Sequence, residues 1–315
     1  MPGITRRRSK TGNCSHSKGE RIMEIRTIGF IGLGIMGAPM SSNIAAKFDG
    51  KVLLCNRTHE KAQRLAQELS QYGAEAVEDK KELARRADLI ITMVPRTVDS
   101  EAVYEEILPE LGVGKICVDM STIDPGASRK IAEKVKQTGA QFADAPVVKS
   151  KAAAIAGKLG IYVGCDESLY ETILPILQMM GENVIRMGAN GNGLVMKICH
   201  NALASQIQNG VNETLTLAGA NGIDPETYVR AISYGGAQNA YLDNHAAMFA
   251  QDEYPTSFSL QNAAKDVGIA VRLAKECGVP MPGEEVAYSV YQEALEKGLG
   301  PEDWGATWKI VRGRA

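Results

Sequence analysis

The sequence has few aromatic residues and almost no net charge. Of its 315 residues only 5% are aromatic, and 35 basic residues are balanced by 37 acidic ones, which leaves a net charge of −2. This balance argues against a protein that coats nucleic acid. The apolar fraction of 44% excludes disorder as the main state of the chain. A chain of this length has room for two domains with buried cores.

Closely spaced cysteines and long apolar runs are also absent. The sequence has no CxxC pair, and its six cysteines stand at positions 14, 55, 117, 165, 199 and 277. This spacing favours reduced thiols in the cytoplasm over a disulfide scaffold or a zinc site, so we expect no metal. No apolar run approaches the roughly 18 residues that a membrane span needs, and we therefore expect no membrane partner.

The first 22 residues have almost no acidic or apolar side chains. Against one acid, Glu20, they carry six basic residues: Arg6, Arg7, Arg8, Lys10, Lys18 and Arg21. Such a segment cannot build a core, and the composition predicts a disordered basic tail. A transit peptide would need an amphipathic apolar face, and a nucleic-acid-binding arm is the other alternative. We favour a tail without function or an over-long start, since Met23 stands immediately before the first predicted strand.

Short apolar segments alternate with helical patterns from Ile25 onwards. The predicted strands span residues 26–32, 51–55, 88–94, 115–119 and 140–143, and the predicted helices span 36–47, 59–69, 98–107 and 126–138. This alternation predicts an α/β fold, a Rossmann-type doubly wound parallel sheet with helices on both faces. Ligands of such a sheet bind at the carboxyl ends of the strands.

The pattern becomes wholly helical after about residue 188. A stretch from 194 to 220 predicts a long interdomain helix, and further helices are expected at 225–234, 240–250, 258–277 and 282–296. We therefore predict a dinucleotide-binding domain over residues 23–188. A helical domain for substrate binding and oligomerisation follows over residues 189–315.

Glycine is abundant, with 32 residues, and three of them form a motif. A GxGxxG pattern at Gly32, Gly34 and Gly37 follows a predicted strand and opens a predicted helix, which is the context of a dinucleotide site. The first glycine permits a tight turn, the second lets the backbone approach a pyrophosphate, and the third lets helix pack on strand. The predicted cofactor-binding segment comprises Gly32, Leu33, Gly34, Ile35, Met36 and Gly37.

The end of the second predicted strand bears on which dinucleotide binds. No Asp or Glu occurs between residues 50 and 59, although an NAD site usually has a carboxylate there for the ribose hydroxyl. Asn56, Arg57 and Thr58 stand in its place and suit a 2′-phosphate. The alternative is an Arg57 that is only solvated, with Thr58 capping a helix. We predict NADP, with NAD possible as the cofactor.

Four segments resemble the β-hydroxyacid dehydrogenase family, which includes 3-hydroxyisobutyrate dehydrogenase and glyoxylate/succinic semialdehyde reductase. They are GFIGLGIMGAPM (29–40), DMSTIDPG (119–126), GNGLVMKICHN (191–201) and FSLQNAAKDVGIA (258–270). The resemblance extends over residues 25–310. It implies an NADP(H)-dependent oxidoreductase that transfers a hydride between nicotinamide and a small β-hydroxyacid or semialdehyde acid.

The same resemblance implies that Lys197 is the catalytic lysine. An ammonium beside the reacting carbonyl stabilises negative charge on oxygen and donates a proton. His200 and Asn201 lie on the same helix face. The resemblance implies that Asn201 orients the substrate. His200 is either a second polar ligand or a hydrogen-bonded histidine at the domain interface.

Further site residues follow from the same resemblance. Ser121 and Thr122 are expected to receive the substrate carboxylate, with helix capping before Pro125 as the alternative. The remaining cofactor contacts are predicted at Thr122, Val94, Pro95 and Lys265, whereas Asp266 is expected to be structural.

One segment departs from the pattern of the family. After Asp144-Ala-Pro-Val147 most members have Ser-Gly-Gly, but this chain has Val148-Lys149-Ser150. Val148 and Lys149 are predicted to face the substrate, where bulky side chains prevent the usual close backbone approach. Either Lys149 turns outward, or it supplies a cation for a second acidic group on the substrate. We favour the second alternative.

Two other functions are compatible with the same predicted architecture. An imine reductase-like enzyme would share the fold, but such enzymes generally lack the lysine. A non-catalytic oligomeric or chromatin-binding member has no need of an intact glycine motif together with Lys197. The helical region is too short for 6-phosphogluconate dehydrogenase. We expect a small carboxylate substrate and a homodimer or homotetramer, with no nucleic-acid partner.

Overall fold

A computed structural model describes residues 24–313 of the chain, so the predicted basic tail over residues 1–22 lies outside the described residues. The structure contains one nine-stranded sheet. Its strands are β1 (Thr27–Ile31), β2 (Lys51–Cys55), β3 (Ala74–Ala76), β4 (Leu89–Thr92), β5 (Ile116–Asp119), β6 (Gln141–Asp144), β7 (Val147–Val148), β8 (Leu159–Gly164) and β9 (Gly181–Gly188).

Helices cover the sheet and form all of the carboxyl-terminal region. The first seven are α1 (Gly37–Lys47), α2 (His59–Glu68), α3 (Lys80–Arg86), α4 (Thr97–Ile107), α5 (Pro125–Gln137), α6 (Lys151–Ile155) and α7 (Glu167–Leu177). The others are α8 (Asn192–Ala220), α9 (Pro225–Ile232), α10 (Ala240–Gln251), α11 (Leu260–Cys277), α12 (Pro282–Glu296) and α13 (Trp308–Gly313).

The sheet has the order β3-β2-β1-β4-β5-β6-β8-β7, with β9 paired to β8. All neighbours from β3 to β6 are parallel, which confirms the predicted doubly wound sheet. The later strands are different, because β8 pairs antiparallel with β6 and β7 and parallel with β9. The carboxyl ends of β1, β2, β4 and β5 therefore lie along one edge of the sheet.

The strands are buried on both faces because helices cover both sides. Ile28 and Phe30 of β1 pack into one apolar cluster, while Ile31 packs into a second cluster across the sheet. Continuous apolar strands of this kind are typical of parallel sheets. The helical region has its own core, which includes Tyr291 and Trp308.

Helix α8 connects the two regions as the sequence predicts. It has 29 residues and packs against β8 and β9 near its start and against α11, α12 and α13 along its length. No helix in the described part of the chain is long and apolar enough to cross a membrane. Between residues 24 and 313 no three His, Cys, Asp or Glu side chains are grouped to hold a metal, and the five described cysteines are unpaired.

Candidate active site

The glycine motif forms the turn between β1 and α1. Gly32 has a φ of +100°, and a Cβ there would collide with the Met93 carbonyl oxygen at the end of β4. A Cβ on Gly37 would collide with the Gly32 carbonyl oxygen, so this glycine permits the close approach of α1. A Cβ on Gly34 would meet nothing within 4 Å. The backbone at Gly34 is therefore open to a ligand, as a bound pyrophosphate requires.

The Asn56 side chain fixes this turn to the end of β2. Its Oδ1 accepts a hydrogen bond of 3.0 Å from the Leu33 amide, and its Nδ2 donates to the Thr58 carbonyl at 3.0 Å. Arg57 and Thr58 are exposed, and Thr58 occupies the N-cap position of α2 without a capping bond from its hydroxyl. The partly buried Asn56 therefore supports the glycine turn, while Arg57 and Thr58 are left exposed.

Ser121 lies beneath the surface of the carboxyl edge. It is fully buried, its Oγ accepts a hydrogen bond of 2.9 Å from the Val94 amide, and its own amide donates to Asp119 Oδ1 at 3.0 Å. Burial raises the pKa of Asp119, although its hydrogen bonds oppose this shift. Ser121 therefore joins the ends of β4 and β5, and a substrate carboxylate cannot reach it without movement of the loop.

The cap of helix α5 is Asp124, whose side chain accepts a hydrogen bond of 3.0 Å from the Ala127 amide. The alternative that Ser121 and Thr122 cap this helix is therefore wrong. An Asp immediately before a proline at the first helical position is itself a strong capping signal, and it could have been found in the sequence.

Lys265 of α11 crosses from the helical region to this edge. Its ammonium donates to the Thr122 carbonyl at 2.5 Å and to the Pro95 carbonyl at 3.1 Å. Its Nζ also lies 3.2 Å from Asp266 Oδ1. The lysine thus holds the loops after β4 and β5 against α11 and places a positive charge beside them.

Lys197 lies in the first part of α8 and is partly buried. The surrounding protein lowers the pKa of its ammonium by removing water, nearby Lys265 lowers it further, and Asp266 opposes both. Among the residues that the structure describes, none forms a hydrogen bond or ion pair with the Lys197 ammonium. The group is therefore available for a ligand and can change its protonation state more readily than an exposed lysine.

Asn201 stands one turn beyond Lys197 and is held in place. Its Nδ2 donates a hydrogen bond of 2.7 Å to Asp266 Oδ2. Asp266 is almost fully buried on α11, between Asn201 and Lys265. This acid therefore positions two side chains, which agrees with its expected structural role.

His200 is packed against an aromatic ring rather than held by hydrogen bonds. Its ring meets that of Tyr162 on β8 edge to face, with centroids 6.4 Å apart. Burial lowers the pKa of His200 below its usual value, and Lys197 lowers it further, so the environment favours the neutral ring. Within residues 24–313 no hydrogen bond involves this ring, so the structure gives no support to the alternative of a hydrogen-bonded interface histidine.

Asp144 anchors the start of α8 and was missed in the sequence. Its carboxylate accepts hydrogen bonds from the Gly191 amide at 2.6 Å and the Leu194 amide at 2.9 Å. Burial raises the pKa of Asp144 to about 6, and these bonds oppose the shift. An Asp at the end of a predicted strand was the available signal, but its partners lie about 50 residues away in sequence.

Lys149 points away from the cleft, in contrast to the alternative that we favoured. Its ammonium donates to Glu182 Oε1 at 2.7 Å on the surface of β9, while Val148 pairs with Gly160 in the sheet. The backbone of Lys149 retains a φ of 82°, in the region that favours glycine. The backbone at position 149 therefore keeps the conformation expected of the glycine in the family's Ser-Gly-Gly segment. The Lys149 side chain supplies no charge to the site.

Comparisons with known proteins agree with this geometry. Residues 27–188 match the family model for the NAD binding domain of 6-phosphogluconate dehydrogenase. Residues 191–311 match the model described as NAD-binding of NADP-dependent 3-hydroxyisobutyrate dehydrogenase. The uncharacterized oxidoreductase YkwC of Bacillus subtilis is 36% identical over 87% of this chain and 94% of its own. Glyoxylate/succinic semialdehyde reductase 1 of Arabidopsis thaliana is 31% identical over 90% of this chain and 98% of its own.

Solved structures show the same architecture. The 3-hydroxyisobutyrate dehydrogenase of Mycobacterium tuberculosis superposes with a TM-score of 0.82 at 25% identity, over 92% of this chain and 100% of its own. An imine reductase from Bacillus cereus, at 20% identity and a TM-score of 0.60, covers 91% of this chain and 99% of its own and shares the fold alone. The chain therefore belongs to the β-hydroxyacid dehydrogenase family and is an NAD(P)-dependent oxidoreductase.

Proposed function

We propose that this enzyme is an NADP(H)-dependent reductase of a small oxo acid or semialdehyde acid, which also acts in reverse as a β-hydroxyacid dehydrogenase. The observation that carries the proposal is the Lys197 ammonium. It is partly buried, has a lowered pKa, has no hydrogen-bond partner among residues 24–313, and lies close to Lys265 and Asp266 of α11. Such a group is suited to exchange a proton with a bound ligand.

Lys197 has a distinct role in each direction of the reaction. The nicotinamide, when bound, supplies or accepts the hydride. In the reductive direction the ammonium stabilises the developing negative charge on the substrate oxygen and then donates the proton. In the oxidative direction the neutral amine removes the hydroxyl proton. The lowered pKa of Lys197 makes this neutral form more accessible than it is in an exposed lysine.

The groups around Lys197 suit a substrate with a carboxylate. Asn201 is held by Asp266 and can orient a polar ligand, while Lys197 and Lys265 give this part of the cleft a positive charge. Thr122 lies at the edge of the cleft beside Lys265, whereas the buried Ser121 supports the loop below it. His200 contributes a half-buried ring whose environment lowers its pKa and so favours the neutral form. These features favour a short acid over a neutral carbonyl compound.

NADP is the proposed cofactor because of the end of β2. The Asn56 side chain is engaged by the glycine turn, which leaves Arg57 and Thr58 exposed beyond it. A guanidinium and a hydroxyl suit a 2′-phosphate, and no carboxylate stands between residues 50 and 59 to bind a free ribose hydroxyl.

We also propose that the enzyme is a homo-oligomer, assembled through the outer face of α8. Met196, Leu203, Gly210 and Leu217 are exposed and recur at every seventh position along this helix. An exposed apolar stripe with this period suits packing against the same helix of a second copy. Light scattering of the full-length protein should give the mass of a dimer or a tetramer, and a monomer at micromolar concentration would contradict the proposal.

A screen of NADPH oxidation tests the proposed reaction. The full-length enzyme is mixed with glyoxylate, succinic semialdehyde and other short oxo acids, and the same substrates are offered with NADH. We expect turnover with at least one acid and a higher kcat/KM with NADPH. Turnover only with a cyclic imine would favour an imine reductase instead. The absence of turnover with every oxo acid would reject the proposed reaction.

A further inference from the structure

We propose that Arg96 is a second arginine for the 2′-phosphate of NADP(H), and that Asp99 is the residue that positions it. This inference rests on the proposed function, since it assumes that NADP(H) is the cofactor. In this proposal two loops at the carboxyl edge of the sheet select the phosphorylated ribose of NADP(H). They are the loop after β2 and the loop after β4.

The topology of the sheet brings Arg96 and Arg57 to the same corner. Arg57 follows β2, Arg96 follows β4, and β1 with its glycine turn lies between these two strands. The turn is in contact with both neighbours, because the Gly32 amide donates to the Cys55 carbonyl at 2.9 Å and Gly32 packs against the Met93 carbonyl. The two arginines therefore flank the segment that approaches the dinucleotide.

Asp99 holds one side of the Arg96 guanidinium. Arg96 Nε donates to Asp99 Oδ2 at 2.8 Å, and Nη2 donates to Oδ1 at 2.8 Å. In the described part of the chain no hydrogen bond involves Arg96 Nη1, and the side chain is 62% exposed. A guanidinium fixed along one edge presents its other edge to solvent, ready for a two-point contact with phosphate.

The corner carries a net positive charge. The Arg96 guanidinium holds the pKa of Asp99 below its usual range, and Arg57 lowers it further, so one carboxylate lies near both arginines. A 2′-phosphate brings a charge of about −1.5 to −2 near neutral pH, by analogy with other phosphate monoesters. Two cations with one acid leave an excess of positive charge that such a group can neutralise, whereas a free ribose hydroxyl cannot.

The contribution of the Arg96 side chain to the stability of α4 is limited to its exposed ion pair with Asp99, and pairs of this kind contribute little. Arg96 occupies the N-cap position of this helix but makes no capping hydrogen bond with its side chain. A cation at the amino end of a helix is unfavourable, because that end already carries partial positive charge. An exposed arginine at this point is therefore better explained by a ligand than by the fold.

The test compares the affinities of NADPH and NADH for the full-length enzyme and four variants. The variants are Arg96→Ala, Arg96→Lys, Arg57→Ala and the control Arg85→Ala. Arg85 is a matched control because its side chain is 60% exposed and its Nε lies 3.1 Å from Glu110 Oε2. It lies in the last turn of α3, which leads into the amino end of β4 and is therefore remote from the carboxyl edge. Dissociation constants are measured by nicotinamide fluorescence, and thermal melting verifies that each variant folds.

We expect Arg96→Ala to weaken NADPH binding about tenfold, in line with the loss of a charge-assisted contact, while NADH binding stays within about twofold. Arg96→Lys should restore part of the NADPH affinity, and Arg85→Ala should match the wild type with both ligands.

If Arg96→Ala behaves like Arg85→Ala, or weakens the binding of both dinucleotides equally, the inference is wrong. If the wild type binds NADH as tightly as NADPH, the proposed cofactor preference itself fails. A different outcome is that Arg57→Ala abolishes the preference for NADPH over NADH and Arg96→Ala leaves it intact. That result would contradict the role of Arg96 but not the proposed cofactor preference.

Discussion

At position 149 a lysine replaces the glycine that is usual in the family, but the backbone keeps a conformation that favours glycine. The chain keeps a left-handed conformation at this position, with a φ of 82°. This conformation costs a residue with a Cβ atom about 1–2 kcal/mol. The compensating ion pair with Glu182 is exposed, and pairs of this kind contribute little to stability. Position 149 is therefore strained in the folded protein.

Substitution of Lys149 by glycine should relieve this strain. We expect Lys149→Gly to be more stable than Lys149→Ala by about 1 kcal/mol, because both remove the ion pair and only glycine fits the positive φ. The free energy of unfolding in urea measures this difference. An alanine variant as stable as the glycine variant would show that the left-handed conformation carries no strain.

Glu284 is a second residue whose environment opposes its charge. It is fully buried at the start of α12, where Ser205 donates to Oε2 at 2.7 Å, while Oε1 accepts no hydrogen bond from the part of the chain that the structure describes. Burial raises the pKa of Glu284 to about 7 from the usual 4.5. The folded state therefore binds this proton more tightly than the unfolded state does. Its contribution to stability is complete below pH 4.5 and is lost as the pH rises through 7.

The Glu284→Gln variant should remove this pH dependence. Between pH 5.5 and pH 8.5 we expect the free energy of unfolding of the wild type to fall by about 1–3 kcal/mol relative to that of the variant. The adjacent exposed Glu285, changed to Gln, is the control and should follow the wild type. Curves for wild type and Glu284→Gln that stay parallel over this range would show that Glu284 ionises normally in the folded protein.

At the scale of elements, helix α8 determines the geometry of the site. Its start is fixed by Asp144 at the end of β6 and by the close approach of Gly193 to β8. A Cβ on Gly193 would lie 2.5 Å from the Tyr162 carbonyl oxygen and 2.9 Å from Asp144 Oδ2. The sheet thus sets the position of the first turn of α8, and Lys197 follows one turn later.

Replacement of Gly193 by alanine should displace this helix. We expect Gly193→Ala to lower the free energy of unfolding by about 2 kcal/mol and to reduce turnover, because a backbone carbonyl cannot move aside as a side chain would. Gly219 is the matched control on the same helix, since a Cβ there meets nothing within 4 Å. Gly219→Ala should raise stability by up to about 1 kcal/mol. Equal effects of the two substitutions would contradict the steric argument.

The elements that sequence patterns predicted are those with a strong periodic signal. The apolar strands β1, β2, β4, β5 and β6 and the long helix α8 were predicted close to their observed bounds. Four strands were missed. Strand β8 is buried and apolar, so its signal was present in the sequence. Strands β3 and β7 are very short, and β9 is largely exposed and has no apolar run. The direction of Lys149 could not be predicted for the same reason, since its partner Glu182 lies on β9.

At the scale of the whole molecule, the site forms where the helical region meets the carboxyl edge of the sheet. Lys265 bonds to carbonyls after β4 and β5, while Asp266 beside it orients Asn201 on α8. Motifs in the sequence indicated most of these residues, but not which of them are buried. Ser121 is an example, because it is fully buried and its hydroxyl accepts a hydrogen bond from the amide of the loop after β4.

The most direct test of the account is the Lys197→Ala variant, assayed with NADPH and the best oxo acid found in the screen. We predict a loss of turnover of about 10²–10⁴-fold, the usual contribution of a positioned proton donor, with the NADPH dissociation constant within about twofold of the wild type. In the wild type, reduction should slow as the pH rises through the lowered pKa of Lys197, and this limb should vanish in the variant. Near-normal turnover in Lys197→Ala, with the pH profile unchanged, would contradict the assignment of this lysine as the proton donor.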